Sequence, residues 1–234
     1  MNQFKYSGTE LSLFENARNW KRYWSEMVRP YVGEFVLEVG GGIGATVQLL
    51  SAGNYKRWVC LEPDAALCAE IVFRQSEGLI SLDIDVRCCT IMDMDVEFKF
   101  DTILYIDVLE HIRADAAELI KASSLLRQNG FIVIISPAHN FLYSPFDEKI
   151  GHYRRYDKKS LKSIIPDDLK IVEMKYLDSV GYLASLINKL VLKTSDISFS
   201  QVWFWDKFMV SLSRFVDYLS GNKFGKSIVC VLKK

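Results

Sequence analysis

The stretch EFVLEVGGGIG, residues 34–44, decides the fold of this chain. Glu34 to Val39 is short and mostly apolar, and glycines follow at once, a pattern that predicts a buried strand entering a turn. Glycine suits such a turn because its backbone bends sharply and a ligand can approach it without meeting a Cβ atom. We therefore predict a ligand-binding turn at the end of this strand, built by Gly40, Gly41, Gly42 and Gly44.

Strand-like and helix-like segments alternate along the rest of the chain. Further strands are predicted over Arg57–Leu61, Asp85–Cys89, Phe100–Ile106, Phe131–Ile135, Leu169–Tyr176 and Ser227–Leu232, and helices over Ala45–Leu50, Ala114–Arg127 and Lys158–Ile165. The second of these helices is expected to end at Asn129-Gly130, where glycine can adopt the left-handed conformation. The alternation predicts an α/β fold whose mostly parallel sheet has helices on both faces.

Size and charge narrow the possibilities further. The 234 residues contain no internal repeat or low-complexity linker, so we predict a single domain over residues 1–234. The 29 basic residues balance the 29 acidic ones, and nucleic acid is therefore not expected as a partner. No apolar stretch is long enough to cross a bilayer, and the first residues hold no apolar run typical of a secretory signal.

The cysteines do not follow the pattern of a disulfide framework or a metal site. They are Cys60, Cys68, Cys88, Cys89 and Cys230. Their number is odd, most lie in apolar surroundings, and they lack the paired spacing of a zinc site. We expect buried, reduced thiols, no bound metal and a cytoplasmic location.

A second acidic residue extends the predicted site. Glu62 ends the second strand, at about the spacing where a carboxylate binds ribose hydroxyls in dinucleotide-binding folds. Gly40, Gly42 and Ala45 also fit the G-x-G-x-x-A pattern of nicotinamide dinucleotides, so the glycines alone leave two cofactors open. Glu38 favours S-adenosylmethionine, because an acid near the turn would repel a pyrophosphate but attract a sulfonium and an ammonium group.

Four motifs together resemble the class I S-adenosylmethionine-dependent methyltransferases, from about Trp20 to the C-terminus. They are Glu38 with Gly40, Gly42 and Gly44; Glu62 in CLEPD; YIDVLEHI, residues 105–112; and LLRQNGFIVIISP, residues 125–137. The family usually has Pro-Gly or Gly-Gly where this chain has Asn129-Gly130. The resemblance implies a Rossmann-like, seven-stranded sheet with an antiparallel C-terminal strand, and a helical insertion before that strand.

The resemblance also implies where the cofactor lies. Gly40 to Gly44 would line the methionine part and the ribose, and Glu62, with Pro63 beside it, would bind the ribose hydroxyls. Thr90 and Ile91 would lie against the adenine edge, and Asp107 and Val108 would lie beside the amino-acid moiety. Many family members carry an acid after the third strand that meets the adenine amino group. This chain has Thr90 there, with Asp93 a little further on.

Two polar segments follow the predicted fourth and fifth strands. The pair Glu110-His111 either starts a helix or belongs to the site. The segment SPAHNFLYSPFDEKIGHYRRYDKKSL, residues 136–161, is rich in aromatic and charged residues. It follows the fifth strand, at the edge where open α/β sheets bind ligands, so we interpret 139–157 as a lid over the acceptor. The alternative is a solvated loop whose arginines, Arg154 and Arg155, pair with Asp147 or Asp157.

An aromatic segment precedes the last strand. We interpret 181–220 as a helical insertion, in which apolar residues recur close to helical spacing. They are Val202, Trp203, Trp205, Phe208, Met209 and Leu212. Such a stripe favours core packing or the contact of a possible homodimer. A pocket for an apolar acceptor, or contact with a membrane surface, is the alternative.

These observations predict a methyltransferase that acts on a small-molecule, sugar or lipid-like acceptor. Methyl transfer from a sulfonium is an in-line displacement, so the protein mainly aligns and desolvates the nucleophile. A hydroxyl acceptor would benefit from a general base, for which His152 and His139 are the candidates. An NAD(P)-dependent oxidoreductase and a non-catalytic cofactor-binding module remain as alternatives.

Overall fold

The protein is described by a computed structural model that covers residues 6, 8, 10–51, 55–95, 98–189 and 198–234. One seven-stranded sheet has the order β3-β2-β1-β4-β5-β7-β6. Its strands are β1 (Phe35–Val39), β2 (Arg57–Leu61), β3 (Ile84–Arg87), β4 (Phe100–Ile106), β5 (Leu126–Pro137), β6 (Lys170–Leu177) and β7 (Ser227–Lys233). Strands β1 to β5 pair in parallel, and β7 lies antiparallel between β5 and β6. The predicted Rossmann-like fold is confirmed.

Helices cover both faces of the sheet, as the alternating pattern predicted. They are α1 (Glu10–Phe14), α2 (Arg18–Val28), α3 (Ala45–Leu50), α4 (Ala65–Ser76), α5 (Asp115–Leu125), α6 (Pro145–Lys149), α7 (Lys158–Lys162), α8 (Ser179–Ile187), α9 (Phe199–Phe204) and α10 (Val210–Ser220). Because side chains alternate along a strand, Leu37 and Val39 of β1 join the apolar layer under α5 and α7. Val36 joins the opposite layer, under α2, α3 and α4.

The segment between α5 and β5 differs from its prediction. The helix ends at Leu125, two residues early, because Leu126 already pairs with Phe100 as part of β5. The left-handed residue is Asn129, with φ 65°, and not the following glycine. Gly130 is needed for a different reason, since a Cβ there would lie 2.9 Å from the carbonyl oxygen of Asp101. The third strand also ends early, at Arg87, so Cys88 and Cys89 lie outside the sheet.

The predicted helical insertion, 181–220, is helical in its described parts, and residues 190–197 lie outside them. Its aromatic stripe is divided between two surroundings. Val202, Trp205 and Met209 line the large cavity described below. Trp203, Phe208 and Leu212 are exposed, so they do not pack in the core of this chain, and the predicted homodimer contact stays a prediction. Over the described residues, no helix has the length and hydropathy needed to cross a membrane.

A buried carboxylate fastens the C-terminal helices to the rest of the fold. Asp217 on α10 accepts hydrogen bonds from the Tyr23 hydroxyl (2.8 Å) and from the backbone N–H groups of Asp178 (2.8 Å) and Ser179 (3.0 Å). Asp178 in turn accepts a hydrogen bond from the indole N–H of Trp205 (2.7 Å). This network joins α2, α8 and α10, and it holds Trp205 against the cavity.

Replacing this carboxylate should cost substantial stability. Asp217→Ala leaves three buried donors without their acceptor, and each unsatisfied buried group costs about 1–3 kcal/mol. We expect the free energy of unfolding to fall by about 3 kcal/mol in urea titrations followed by circular dichroism. The exposed Asp167→Ala is the matched control and should leave stability nearly unchanged. Equal stability of the two variants would contradict the role given to the network.

Candidate active site

One cavity of about 1270 Å³ lies at the carboxyl ends of the parallel strands. The chain runs outward from β1 to β2 and β3 and then returns to β4 on the other side of β1, so the order of the strands reverses here. Ligands of open α/β sheets bind in the crevice at such a point. The turn after β1, Glu62 and Pro63 after β2, and Asp107 and Val108 after β4 all line the cavity.

The glycine turn is held tightly against its neighbours. Gly40, Gly42 and Gly44 have φ values of 71°, 57° and 80°, in the region that favours glycine. The N–H groups of Gly40 and Gly41 both donate to the carbonyl oxygen of Leu61, at 2.8 and 2.9 Å. A Cβ at Gly40 would lie 2.6 Å from Val108, and one at Gly41 would lie 2.2 Å from the Cys60 sulfur. The bare backbone is therefore required by packing as well as by conformation.

Glu62 lies at the edge of the turn with both carboxylate oxygens engaged. Oε2 accepts from the N–H of Gly42 (2.8 Å), and Oε1 accepts from the N–H of Asp64 (2.9 Å). Burial raises the pKa of this carboxyl, although the two N–H groups oppose that rise. Each oxygen keeps a further lone pair, so the group can still accept hydrogen bonds from a ligand in the cavity.

Glu38 occupies a different position from the one its sequence motif suggested. Its carboxylate is buried beneath the turn, where Oε2 accepts from the indole N–H of Trp58 (3.1 Å), and it is not among the residues that line the cavity. Burial raises its pKa to about 8. The carboxylate of Glu38 therefore does not face the cavity. Its predicted part in cofactor binding stays a prediction.

The predicted adenine-side residues do line the cavity. Ile91 is buried, while Thr90 is exposed and caps a short helical turn. The Thr90 hydroxyl and N–H both bond to Oδ2 of Asp93, at 2.7 and 2.9 Å. Asp93 itself does not line the cavity. On this side, the cavity offers backbone groups and apolar contacts rather than a free carboxylate.

Asp107 follows β4 in a left-handed conformation, with φ 54°, which is uncommon for a residue other than glycine. Its side chain is exposed, and it opens into the cavity, whose walls still remove it from much of the solvent. Burial raises its pKa to about 7, and the nearby Lys226 opposes that rise. Strained backbone is concentrated at functional sites, which agrees with the placement predicted for this residue.

Beyond the turn, the cavity wall carries a group of three residues that we call the Glu–His–His cluster: Glu110, His111 and His152. Their ligand-type atoms lie within 4.8 Å of one another. The rings of His111 and His152 meet edge to face, with centroids 4.5 Å apart. Burial and the neighbouring His152 ring lower the pKa of His111 to about 3, and burial and the charge of Asp107 raise the pKa of Glu110.

His152 is held in the cluster by a carboxylate behind it. Its Nδ1 lies 2.9 Å from Oδ1 of Asp147, which is buried and also accepts from Arg155 at 2.8 and 2.9 Å. Burial raises the pKa of Asp147, but the hydrogen bonds from His152 and Arg155 outweigh it and lower the pKa below its usual range. Asp147 is thus ionised, and His152 directs Nε2 toward Glu110.

Only part of this arrangement was predictable from the sequence. The role of general base was predicted for His152, and Glu110-His111 was left open, because His152 lies 41 positions along the chain from His111, which it contacts in space. The ion pair between Arg155 and Asp147, which the loop interpretation offered as an alternative, is present. Tyr6, Leu11 and Phe14 from the N-terminal segment also line the cavity, and no sequence motif pointed to them.

His139 is not brought to the cavity. Its ring stacks on Tyr176, with centroids 4.7 Å apart, and burial lowers its pKa. The segment 139–157 is therefore divided, since Tyr143, Phe146 and His152 line the cavity while His139 packs behind them. Whether the segment acts as a lid stays a prediction.

Comparison with known proteins shows which family and which fold this chain resembles. The family described as "Methyltransferase domain" matches residues 37–134, from β1 into β5. A Ubiquinone biosynthesis O-methyltransferase from Bradyrhizobium sp. (strain ORS 278) is 28% identical over 106 residues, which are 45% of this chain and 41% of that protein. The match thus spans about two fifths of that curated relative.

Solved structures share the fold over almost the whole chain. The N-methyltransferase NodS from Bradyrhizobium japonicum WM9, in complex with S-adenosyl-L-homocysteine, is 12% identical with a TM-score of 0.62, covering 97% of this chain and 93% of that one. The cyclase SpnF is 13% identical with a TM-score of 0.63, covering 97% and 94%. Because a cyclase also has this fold, the fold alone does not determine the reaction.

The packing of the turn on β2 predicts a specific double-mutant result. Gly41→Ala places a Cβ against the Cys60 sulfur, and such overpacking costs about 1–3 kcal/mol. Adding Cys60→Ala removes that sulfur, so the double variant should recover most of the loss relative to Cys60→Ala alone. Urea titration of all four proteins measures the coupling. Additive effects would show that the turn does not rest on β2 as described.

Proposed function

Because the chain belongs to the class I S-adenosylmethionine-dependent methyltransferases, we propose that it transfers the methyl group of S-adenosylmethionine to a small acceptor in the same cavity. The observation that carries this proposal is the continuity of the cavity. It runs from the glycine turn and Glu62 to the Glu–His–His cluster without a dividing wall of protein. Its volume, about 1270 Å³, exceeds the roughly 300–1,000 Å³ of a typical single-ligand pocket. A cofactor and an acceptor would fit together.

The cofactor occupies the end of the cavity at the turn. Its methionine part and ribose lie along Gly40 to Gly44, with the ribose hydroxyls on Glu62 and Pro63 beside them. The adenine lies against Thr90 and Ile91, and the amino-acid end lies beside Asp107 and Val108. Support comes from the lining of the cavity, which includes all of these positions except Gly44, and from the complex of the similar NodS with the product S-adenosyl-L-homocysteine. Glu38 acts from beneath, by positioning the turn.

The acceptor has an apolar body and a hydroxyl as its reacting group. Apolar side chains from the segment after β5 and from the C-terminal helices line the cavity: Leu142, Phe146, Ile150, Val202, Phe204, Trp205 and Met209. Such a lining favours a lipid-like acceptor over a sugar, whose hydroxyls need many polar partners. The O-methyltransferase named among the relatives agrees with a hydroxyl acceptor.

The protein contributes mainly position and a dry site. Holding the acceptor oxygen in line with the methyl group supplies about 7–11 kcal/mol of the barrier reduction available from orientation. The cofactor supplies the reactive methyl group and the leaving sulfur. His152 lines the cavity and is the candidate for the group that takes the acceptor's proton, and Asp147 fixes the orientation of its ring. His139 is not retained in this role, because it does not line the cavity.

The two alternatives are disfavoured by specific features. A nicotinamide dinucleotide is disfavoured by the match of residues 37–134 to the methyltransferase family, since Glu62 alone would suit the ribose of either cofactor. A binding module without activity would not need an apolar acceptor space of this size. The cytoplasm is the expected compartment, and five free thiols support it.

Cofactor binding is tested directly by calorimetry with S-adenosyl-L-homocysteine. We expect saturable binding that raises the melting temperature, and no such shift with NAD. Glu62→Gln replaces one accepting oxygen with a donor facing an N–H group, so affinity should fall about tenfold or more. Asp85→Asn, on the neighbouring strand outside the cavity, should bind like the parent protein. A shift with NAD alone would refute the proposal.

The acceptor end is tested with a probe pair, 3,4-dihydroxybenzoate and its decyl ester, and labelled S-adenosylmethionine. Both carry the same hydroxylated ring, and only the ester has an apolar tail for the cavity. We expect methylation of the ester with the lower KM. His152→Gln should lower kcat by about 10²-fold or more and leave the affinity for S-adenosyl-L-homocysteine unchanged. Methylation of neither probe, or equal kcat in the variant, would count against this acceptor site.

A further inference from the structure

The Glu–His–His cluster contains a buried carboxyl oxygen and an imidazole nitrogen that face each other without forming a hydrogen bond. Oε1 of Glu110 is fully buried and, within the described part of the chain, has no hydrogen-bond partner. Its other oxygen accepts from the hydroxyl of Ser136 at 2.8 Å. The atom that Oε1 faces is Nε2 of His152, 3.8 Å away and too far for a hydrogen bond. A buried carboxylate oxygen left in this state is costly.

The contact with Asp147 fixes how the His152 ring is turned. Nδ1 lies 2.9 Å from Oδ1 of Asp147, so Nε2 is the ring nitrogen that points toward Glu110. Ligands about 2.1 Å from an ion are at most about 4.2 Å apart, and the 3.8 Å between Oε1 and Nε2 lies within that limit. The three ligand atoms lie within 4.8 Å of one another, so a small movement of the side chains would close the set around one ion.

His152 also has the outer partner that metal-binding histidines have. A ligating histidine usually donates its second ring N–H to a carboxylate or a backbone carbonyl, which fixes the tautomer and the ring orientation. Nδ1 of His152 has such a partner in Asp147, at 2.9 Å. Its Nε2 is therefore the nitrogen that faces the interior of the cluster, and the His111 ring meets the His152 ring edge to face beside it.

We propose that Glu110, His111 and His152 bind a divalent metal ion on the wall of the cavity. Two imidazoles and one carboxylate form a mixed nitrogen and oxygen set that suits divalent transition ions such as Mn²⁺ and Zn²⁺. No metal was expected from the sequence, because its cysteines lack the paired spacing of a zinc site and His152 lies far along the chain from Glu110-His111. The fold brings this set together from the turn after β4 and from the segment after α6.

The ion has a place in the reaction proposed above, and this step rests on that proposal. Three protein ligands leave positions open, and the cluster lines the cavity, so the acceptor oxygen can bind there. A cation in this position would orient the oxygen and lower the pKa of its hydroxyl, and the proton would pass to solvent at the open side of the cavity before the methyl group is transferred. His152 would then serve as a ligand rather than as the group that takes the proton.

Metal binding is tested without cofactor or acceptor. The full-length protein is stripped with a chelator and titrated with Mn²⁺, which thiolates bind poorly, so that the five cysteines do not interfere. Electron paramagnetic resonance counts free and bound ion. We expect one bound equivalent per chain, with affinity at least tenfold weaker in Glu110→Gln and in His152→Gln. Glu118→Gln, a buried carboxyl on the same cavity, and His139→Gln, the only other histidine, should bind like the parent.

The outcomes separate the two proposals. Circular dichroism and the affinity for S-adenosyl-L-homocysteine verify that each variant is folded. No stoichiometric binding of Mn²⁺, or equal binding in Glu110→Gln and Glu118→Gln, overturns the metal site even if the cofactor binds normally. Conversely, stoichiometric Mn²⁺ with no binding of S-adenosyl-L-homocysteine would overturn the proposed function and leave the metal site in place.

Discussion

Two hydrogen bonds that one carbonyl oxygen accepts set the position of the glycine turn, and through it the shape of the cavity. The oxygen of Leu61, the last residue of β2, accepts from the N–H groups of both Gly40 and Gly41. These bonds fold the chain sharply as it leaves β1, and they are possible only because no side chain lies between the turn and β2. The turn is thereby fixed between the ends of β2 and β4, so Glu62 and Asp107 face the same space.

The segment after β5, which forms another wall of the cavity, is held by the ion pair between Asp147 and Arg155 and not by pairing within the sheet. Asp147 collects hydrogen bonds from His152, from Arg155 and from the Ser144 hydroxyl and N–H, which fold the segment after β5 back on itself. A single buried carboxylate with this many donors is well compensated. The segment is thus ordered by its own polar contacts, and the polar residues that suggested a solvated loop are the ones that shape the wall.

The fold was predictable from the sequence to a large extent, and the exceptions have identifiable causes. Strands β2 and β4 have the predicted bounds because they are apolar runs bordered by polar residues. The helix before β5 was drawn too long, since local periodicity does not reveal that Leu126 pairs with Phe100. In the site, the glycines and Glu62 were accessible because their spacing follows one strand and one turn. The Glu–His–His cluster was not, because tertiary packing alone joins Glu110 to His152.

The charges that line the cavity near the turn differ from those that the sequence predicted. Glu38 was expected to face the ligand, but its carboxylate bonds to Trp58 beneath the turn. A group with a pKa raised to about 8 is largely neutral at neutral pH, so it neither attracts a sulfonium nor repels a pyrophosphate strongly. The carboxylates that do line the cavity next to the turn are Glu62 and Asp107, one at each flanking strand end. Because Glu62 suits the ribose of either cofactor and the pKa of Asp107 is raised to about 7, charge next to the turn does not decide between them, and the assignment of S-adenosylmethionine rests on the family match.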